Sequence, residues 1–566
     1  MSLFSWYRLP RFLGLLRLNT FRERMRRQNL YSTQAPYLNE KDDPPALPTL
    51  SPEQLAARSA DGTFNDLSKP RMGCAGMRFG RNIPLNRVVV ADEQTLMTPS
   101  PRVVSRDLMT RDRFIPATSL NLLAASWIQF QVHDWFSHGE NDESQPPFAV
   151  PLPANDPWPK PQMLVKRTHQ DPTRPTNDAD RTPSFVNTET HWWDASQLYG
   201  SNLTTQQHVR SFEHGKLKLG VDGLLPVDPH TGIDVTGVSG NWWVGLSMLH
   251  TLFTLEHNAI CDRLRQEFPA WTDEQLFLKA RLVNAALMAK IHTIEWTTAI
   301  LAHPTVQAGL NNNWTQARNT KQEHHAAPYS MTEEFVAVYR MHPLMPDEFT
   351  FRSLQTGKAI ETRTLPQVAD RHARELMTGI SLTDLFYSFG TSHPGAITLH
   401  NYPYFLQNLE RDGEVKMDLA AVDVLRDRER GVPRYNEFRK LMGLDPVKKF
   451  EDLSNNPKWN EEIQRVYYND INLVDLQVGM FAEPLIEGMG FSETAFRVFL
   501  LMASRRLQSD RFFTDDYDET TYTKAGLQWV EETTMRTVLA RHLPQLKPIL
   551  DKLDNAFAPW PGTSAK

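Results

Sequence analysis

Two stretches decide the fold: residues 127–139, WIQFQVHDWFSHG, and residues 338–349, VYRMHPLMPDEF. On a helix, Gln129 and His133 stand at i and i+4 and project from one face. Asp134 points elsewhere and is free to hold a cation. A neutral imidazole with an amide beside it can bind or polarise a ligand. In the second stretch Tyr339 and His342 stand at i and i+3. A histidine at a helix end can ligate a haem iron, and a tyrosine one turn away can lose an electron to an oxidised haem. Alone, either stretch reads as an ordinary buried side chain; together they are specific.

The rest of the chain narrows the class. It has 566 residues, net charge -6, 40% hydrophobic and 23% charged residues, and mean hydropathy -0.47. That is globular composition, not disordered or collagen-like. No apolar run approaches the ~18 residues that span a bilayer, and the acidic balance gives no general attraction to nucleic acid. Two cysteines, Cys74 and Cys261, cannot build a disulfide framework or a thiolate metal site. An intracellular protein, soluble or peripherally membrane-associated, is expected, with the 18 histidines as the source of ligands.

Residues 1–35 are read as a basic amphipathic helical segment and 36–566 as one domain. The first thirty residues carry seven arginines against Glu23, interleaved with Trp6, Leu9, Phe12, Leu13, Leu16 and Leu18. No clean apolar core of a secretory signal appears. Such a helix suits a membrane surface or packs on its own domain.

Residues 40–60 read as a loop, and 144–185, with ten prolines, as a linker or long surface loop. Helical periodicity runs through 249–268, 273–301 and 492–507. Ser330 with Glu333 predicts a capping box opening a helix that Pro343 ends. The best strand candidates are GKLKLG at 215–220 and RVVVA at 87–91. The class is mostly α, with very little β.

The paired stretches resemble the distal and proximal sides of the animal-type haem peroxidase and cyclooxygenase superfamily. Within it the likeness is to the fatty-acid α-dioxygenases. NTETHWWDASQLYGS, MAKIHTIEWT, PYSMTEEFVAVYRMHPLMPD and ASRRLQSDRFFT follow in that family's order. The resemblance implies haem b, with His133 as distal histidine, Gln129 its companion, His342 the proximal iron ligand and Tyr339 the radical-forming tyrosine. RERGVPRYNEFR resembles the superfamily's RDHG-type segment. It implies Asn436 as the partner of His342 and Arg439 as a propionate partner, although Glu429–Arg430 depart from Asp–His. Val132 stands where halide-oxidising relatives carry an ester-forming acid, so the haem is expected without that bond.

In TETHWWDAS, Thr190, the Trp192 carbonyl, Asp194 and Ser196, with Asp134, form a hard-oxygen set suited to Ca²⁺, as similar loops in the family do. A calcium site with ligands on both sides of 144–185 makes that stretch a loop. Arg505 or Arg506 is expected to hold a substrate carboxylate; the sequence does not choose. His292 and Thr297 match the family's other carboxylate contacts, although i and i+5 lie well apart around an α-helix.

The implied activity is α-dioxygenation of a long-chain fatty acid by a monomer, with O2 and an activating peroxide. The Tyr339 radical abstracts hydrogen from C2, and O2 adds there. The 2-hydroperoxy acid can then lose CO2 to give an aldehyde one carbon shorter. The alternatives are a haem peroxidase using small reductants, a diol-synthase-type oxygenase, and a non-catalytic haem-binding or lipid-sensing protein.

Overall fold

The strongest helical pattern folds as expected. Here α1 is Arg11–Gln28, α2 Leu123–Trp135, α3 Val244–Glu267, α4 Asp273–Ile291, α5 Pro304–Ala317, α6 Glu333–Val338, α7 Leu419–Glu429 and α8 Glu493–Gln508. The structure, a computed structural model, describes residues 5–562 apart from 32, 34–46, 89–90, 173–183, 318–319, 324–328 and 411–415.

Capping explains where the long helices begin. Thr272 and Gln275 close a reciprocal capping box at the start of α4, with Asp273 and Glu274 in its first turn. The Ser492 side chain accepts from Ala495 N–H at the start of α8. α2 is buried nearly all round, with the polar Ser126, Gln131, His133 and Asp134 enclosed along with its apolar residues. Gly245 allows its close neighbour: a Cβ there would lie 2.5 Å from Ser126 Oγ of α2. The start of α3 is thereby held against α2.

Strand is confined to three antiparallel pairs among the described residues. The longest, Glu348–Arg352 with Ala359–Thr364, pairs Glu348 with Thr364 and bulges between Phe351 and Arg352. Sequence reading missed it because its second strand faces solvent and has no apolar alternation. GKLKLG is not a strand; only Leu217 makes an isolated bridge, to Arg210. In RVVVA, Arg87 ends a 3₁₀ turn, and residues 89–90 lie outside the described residues. The 144–185 stretch contributes short strands whose Phe148, Val150, Met163 and Val165 pack on Ala421, Val422 and Leu425 of α7.

The predicted Ser330 cap is corrected. Thr332 is the N-cap of α6, accepting from Phe335 N–H. The helix stops at Val338, not at His342. Tyr339 is its C-cap, and His342 opens a separate 3₁₀ turn with Pro343. Pro343 restricts the residue before it, so the break falls ahead of the histidine.

Candidate functional site

Tyr339 and His342 face different neighbours because the chain leaves α6 between them. The Tyr339 ring is buried among Trp135 (centroids 5.3 Å), Phe335 (4.4 Å) and Phe499 (6.5 Å). Burial pushes the pKa of its hydroxyl up. The phenol is therefore neutral and faces a narrow cavity of about 20 Å³.

That cavity gathers residues far apart in sequence: Trp135, Trp193, His292, Thr297, Tyr339, Phe499 and Arg506 among them. His292 and Thr297 meet there because His292–Trp296 is a π-helical turn, with Thr297 N–H bonded to the His292 carbonyl. The wider turn brings i and i+5 to one side, which an α-helix does not. Trp127 Nε1–H donates to His292 Nδ1 at 3.2 Å, so the proton of the neutral ring sits on Nε2. Burial, then the Arg506 charge, holds that ring's pKa well below the ordinary histidine value.

The two arginines separate here. Arg505 Nη1 donates to the Ser330 carbonyl at 3.0 Å, and Arg505 does not line the cavity. The Arg506 guanidinium lies between Trp135 (4.3 Å) and Trp193 (4.5 Å). Its Nε and Nη2 are buried with no acceptor among the described residues. A buried cation stacked on aromatics, with two donors unengaged, is an anion receiver.

On the far side of His342, Nδ1–H donates to Asp423 Oδ2 at 2.7 Å. Asp423 also accepts from Tyr402 OH (2.9 Å) and, on Oδ1, from Arg340 Nη1 (2.6 Å). Arg340 Nε reaches Asp427. Burial opposes the Asp423 carboxylate, but His342 and Arg340 outweigh it and hold its pKa at about 2. This corrects the expectation for Asn436. Its amide is closed on the Val447 backbone, donating to the carbonyl and accepting from N–H. Arg439 is likewise committed, to Glu483 (3.2 Å), Thr494 (2.8 Å) and the Asp445 carbonyl (2.8 Å). The signal missed was Asp423 and Asp427 at i and i+4 on α7, beside an arginine that directly follows Tyr339.

On α2, Gln129 is occupied: Nε2 donates to the Asn241 carbonyl and Oε1 accepts from Trp243 Nε1–H. His133 is buried, and its Nδ1 has no partner among the described residues. Burial pushes its pKa down to about 4, so the ring is neutral.

Asp134 faces the 190–196 loop. Its Oδ1 accepts from Ser196 N–H (2.5 Å), and Ser196 Oγ–H donates to Asp194 Oδ1 (2.5 Å). Thr190 Oγ1 lies 3.2 Å from Ser196 Oγ. Ala195 adopts a left-handed conformation, φ +67°, which turns Asp194 and Ser196 toward Asp134. The Trp192 ring is tied off by the Gly62 and Met72 carbonyls and stacks on Tyr329 at 4.2 Å. Asp134 Oδ2 is buried without a partner among the described residues. Burial, then the Asp194 charge, raises the pKa of Asp134 well above the ordinary carboxylate range.

Comparison with known proteins agrees in family across the chain. The family model described as animal haem peroxidase matches residues 57–554. Alpha-dioxygenase 2 of Arabidopsis thaliana is 38% identical, over 98% of this chain and 91% of that protein. Alpha-dioxygenase PIOX of Nicotiana tabacum is 38% identical, over 99% of this chain and 90% of that protein. A crystal structure of an Oryza sativa fatty acid alpha-dioxygenase, a Tyr-to-Phe variant with palmitic acid, superposes with TM-score 0.89 at 36% identity. It covers 99% of this chain and 95% of that one.

Proposed function

The chain belongs to the animal haem peroxidase family and within it to the alpha-dioxygenases, and on that premise we propose how its residues oxygenate a long-chain fatty acid at C2. The observation that carries the reading is Arg506, a buried cation with two unengaged donors in the same cavity as the Tyr339 hydroxyl. Its guanidinium receives the carboxylate, and the His292 Nε2–H donates a second bond. Thr297 hydroxyl now donates to the His292 carbonyl (2.8 Å), so it meets the carboxylate only after rotating. A clamped carboxylate leaves C2, rather than a later methylene, beside Tyr339.

Haem belongs between His342 and His133. The fit rests on two features: His342 Nδ1 is oriented by a carboxylate, leaving Nε2 for iron, and His133 is neutral and unengaged. Haem b bound there and oxidised by a hydroperoxide supplies the one-electron oxidant for Tyr339. The Tyr339 radical takes hydrogen from C2, O2 adds to that carbon, and the phenol returns a hydrogen atom. The product is a 2-hydroperoxy acid, which can lose CO2 to give an aldehyde one carbon shorter.

Ca²⁺ fits the Asp134, Thr190, Trp192 carbonyl, Asp194 and Ser196 set, because the orphaned Asp134 Oδ2 needs a cation or proton. The ion would join the loop to the helix carrying His133.

The chain acts as a monomer, and α1 brings it to lipid surfaces. Leu18 and Met25 are buried, while Phe12 is 75%, Leu16 56% and Leu13 47% exposed. Arg8, Arg11, Arg24 and Arg27 are exposed as well. Arg22 donates to Asn313 of α5, a cavity-lining residue, so α1 lies near the substrate site. No helix among the described residues is long and apolar enough to cross a membrane.

The test is O2 uptake with palmitate and product identification by mass spectrometry. Tyr339→Phe should abolish 2-hydroperoxide while haem binding survives. Normal product from that variant would end the radical mechanism.

A further inference from the structure

Among the described residues, the wall of the Arg506 cavity is buried at every position but two. Asn313 of α5 and Ala503 of α8 keep part of their surface in solvent and so mark its mouth. Helix α1 packs on both of those helices. Arg22 and Arg26 stand one turn apart on its inner face, 9% and 3% exposed. Arg22 Nη1 donates to Asn313 Oδ1 at 2.9 Å. Arg26 Nη2 donates to the hydroxyl of Ser504, the residue after Ala503. The two side chains thus grip the two helices that frame the opening. The cavity behind it, about 20 Å³, has room for about one water. A fatty acid needs roughly 300 Å³ or more, so its entry has to loosen this grip.

The acceptors that hold the arginines are neutral, an amide oxygen and a hydroxyl. The acid that both reach is Glu23, half-exposed, 3.1 Å from Arg22 Nε and 3.4 Å from Arg26 Nη1. Arg26 Nε is buried with no partner among the described residues. Burial, then the Arg22 charge, lowers the Arg26 pKa to about 9. Two buried cations thus lean on one half-solvated carboxylate. A second carboxylate would fill the open donor and outcompete the neutral acceptors.

We propose that Arg22 and Arg26 form an entry site for the substrate: they receive the carboxylate of an incoming fatty acid, which displaces Asn313 and Ser504 as their acceptors. This rests on the Arg506 cavity being the substrate site. With the grip released, the mouth opens between α5 and α8 and the carboxylate passes on to Arg506. The charge is paired at both ends of its path, so it crosses the apolar wall without a long unpaired stretch.

Entry is read by stopped flow on the full-length, haem-loaded protein, in a Tyr339→Phe background so that nothing turns over. The probe is a fluorescent conjugated-polyene fatty acid, quenched by haem on binding. Displacement by excess palmitate gives its release rate. Arg22→Gln combined with Arg26→Gln should slow association about ten-fold or more at low salt and flatten its salt dependence. Release should slow in proportion, leaving Kd near wild type, because these groups act on the path and not at its end. Lysine at both positions keeps the charge and should keep most of the rate. Association at the wild-type rate or faster in the glutamine pair, or equal slowing in the lysine pair, overturns the proposal. Should the glutamine pair not fold, Asn313→Ala decides. It loosens the grip but leaves both cations, so association should match or exceed wild type, and a slowed rate overturns the entry site. Arg506→Ala separates the premise. If that variant binds the acid with wild-type Kd, the cavity reading fails and this proposal with it. If its Kd rises while the glutamine pair associates normally, only the entry role is lost.

Discussion

Residues decide the chemistry through which of their atoms are already taken. Arg505 and Arg506 are neighbours of equal type, yet only Arg506 offers unengaged donors to the cavity. Arg506→Ala should therefore raise the KM for a fatty acid about ten-fold or more, the loss of a charge-assisted hydrogen bond of ~1.5–3 kcal/mol. Arg505→Ala should leave the KM near wild type and lower the thermal midpoint. Steady-state kinetics on both variants checks the split, and equal KM values would contradict it. Asp423 is the other decisive residue. Groups that orient a metal-binding histidine typically account for 10–100-fold in affinity. Haem titration followed by the Soret band should show weakening of about that size in Asp423→Ala and little in Asn436→Ala.

Elements decide where those residues stand. Glu295, in the π turn at His292–Trp296, is buried, and its carboxylate accepts from Met535 N–H at 3.1 Å. Burial pushes the Glu295 pKa up to about 7, against the opposing pull of that N–H, Lys290 and Arg536. The folded pKa thus lies above the unfolded value of 4.5. The native state holds the proton more tightly, so stability falls as pH rises from about 4.5 to 7, by at most about 3 kcal/mol. Denaturant melts at pH 5 and 7.5 should show that loss in the wild type and a flatter profile in Glu295→Gln. The 190–196 loop gives a second case. Asp194→Ala should lower the melting temperature and loosen haem retention, and a chelator should do the same to the wild type but not to the variant. Metal analysis finding no calcium in well-folded, untreated protein would remove the ion from this account.

At the scale of the molecule, α1 joins the surface to the site. It packs on α5 and α8, which line the cavity, and turns Phe12, Leu13 and Leu16 outward. Each basic residue near an anionic bilayer adds about 1 kcal/mol, screened by salt. Replacing Phe12, Leu13 and Leu16 with serine should weaken binding to anionic vesicles without changing the melting temperature. Unchanged vesicle binding would leave α1 a purely structural helix.

The mostly helical class, the long helices and the two histidine stretches were legible in the amino-acid order, because helix period and N-caps are local properties of a few turns. Tyr339, His342, Arg506, His292 and Thr297 were legible as candidates through family likeness rather than spacing. What joined them was not local. The π turn that sets Thr297 beside His292 is read from the folded backbone, since an α-helical count separates those residues. Asp423 displaced Asn436 as the partner of His342 because that bond spans 81 positions and its geometry is set by how α7 packs. Arg505 and Arg506 are equally buried, and the choice between them came from their surroundings: each side chain is spent or spared according to the neighbours that tertiary packing brings within hydrogen-bond reach.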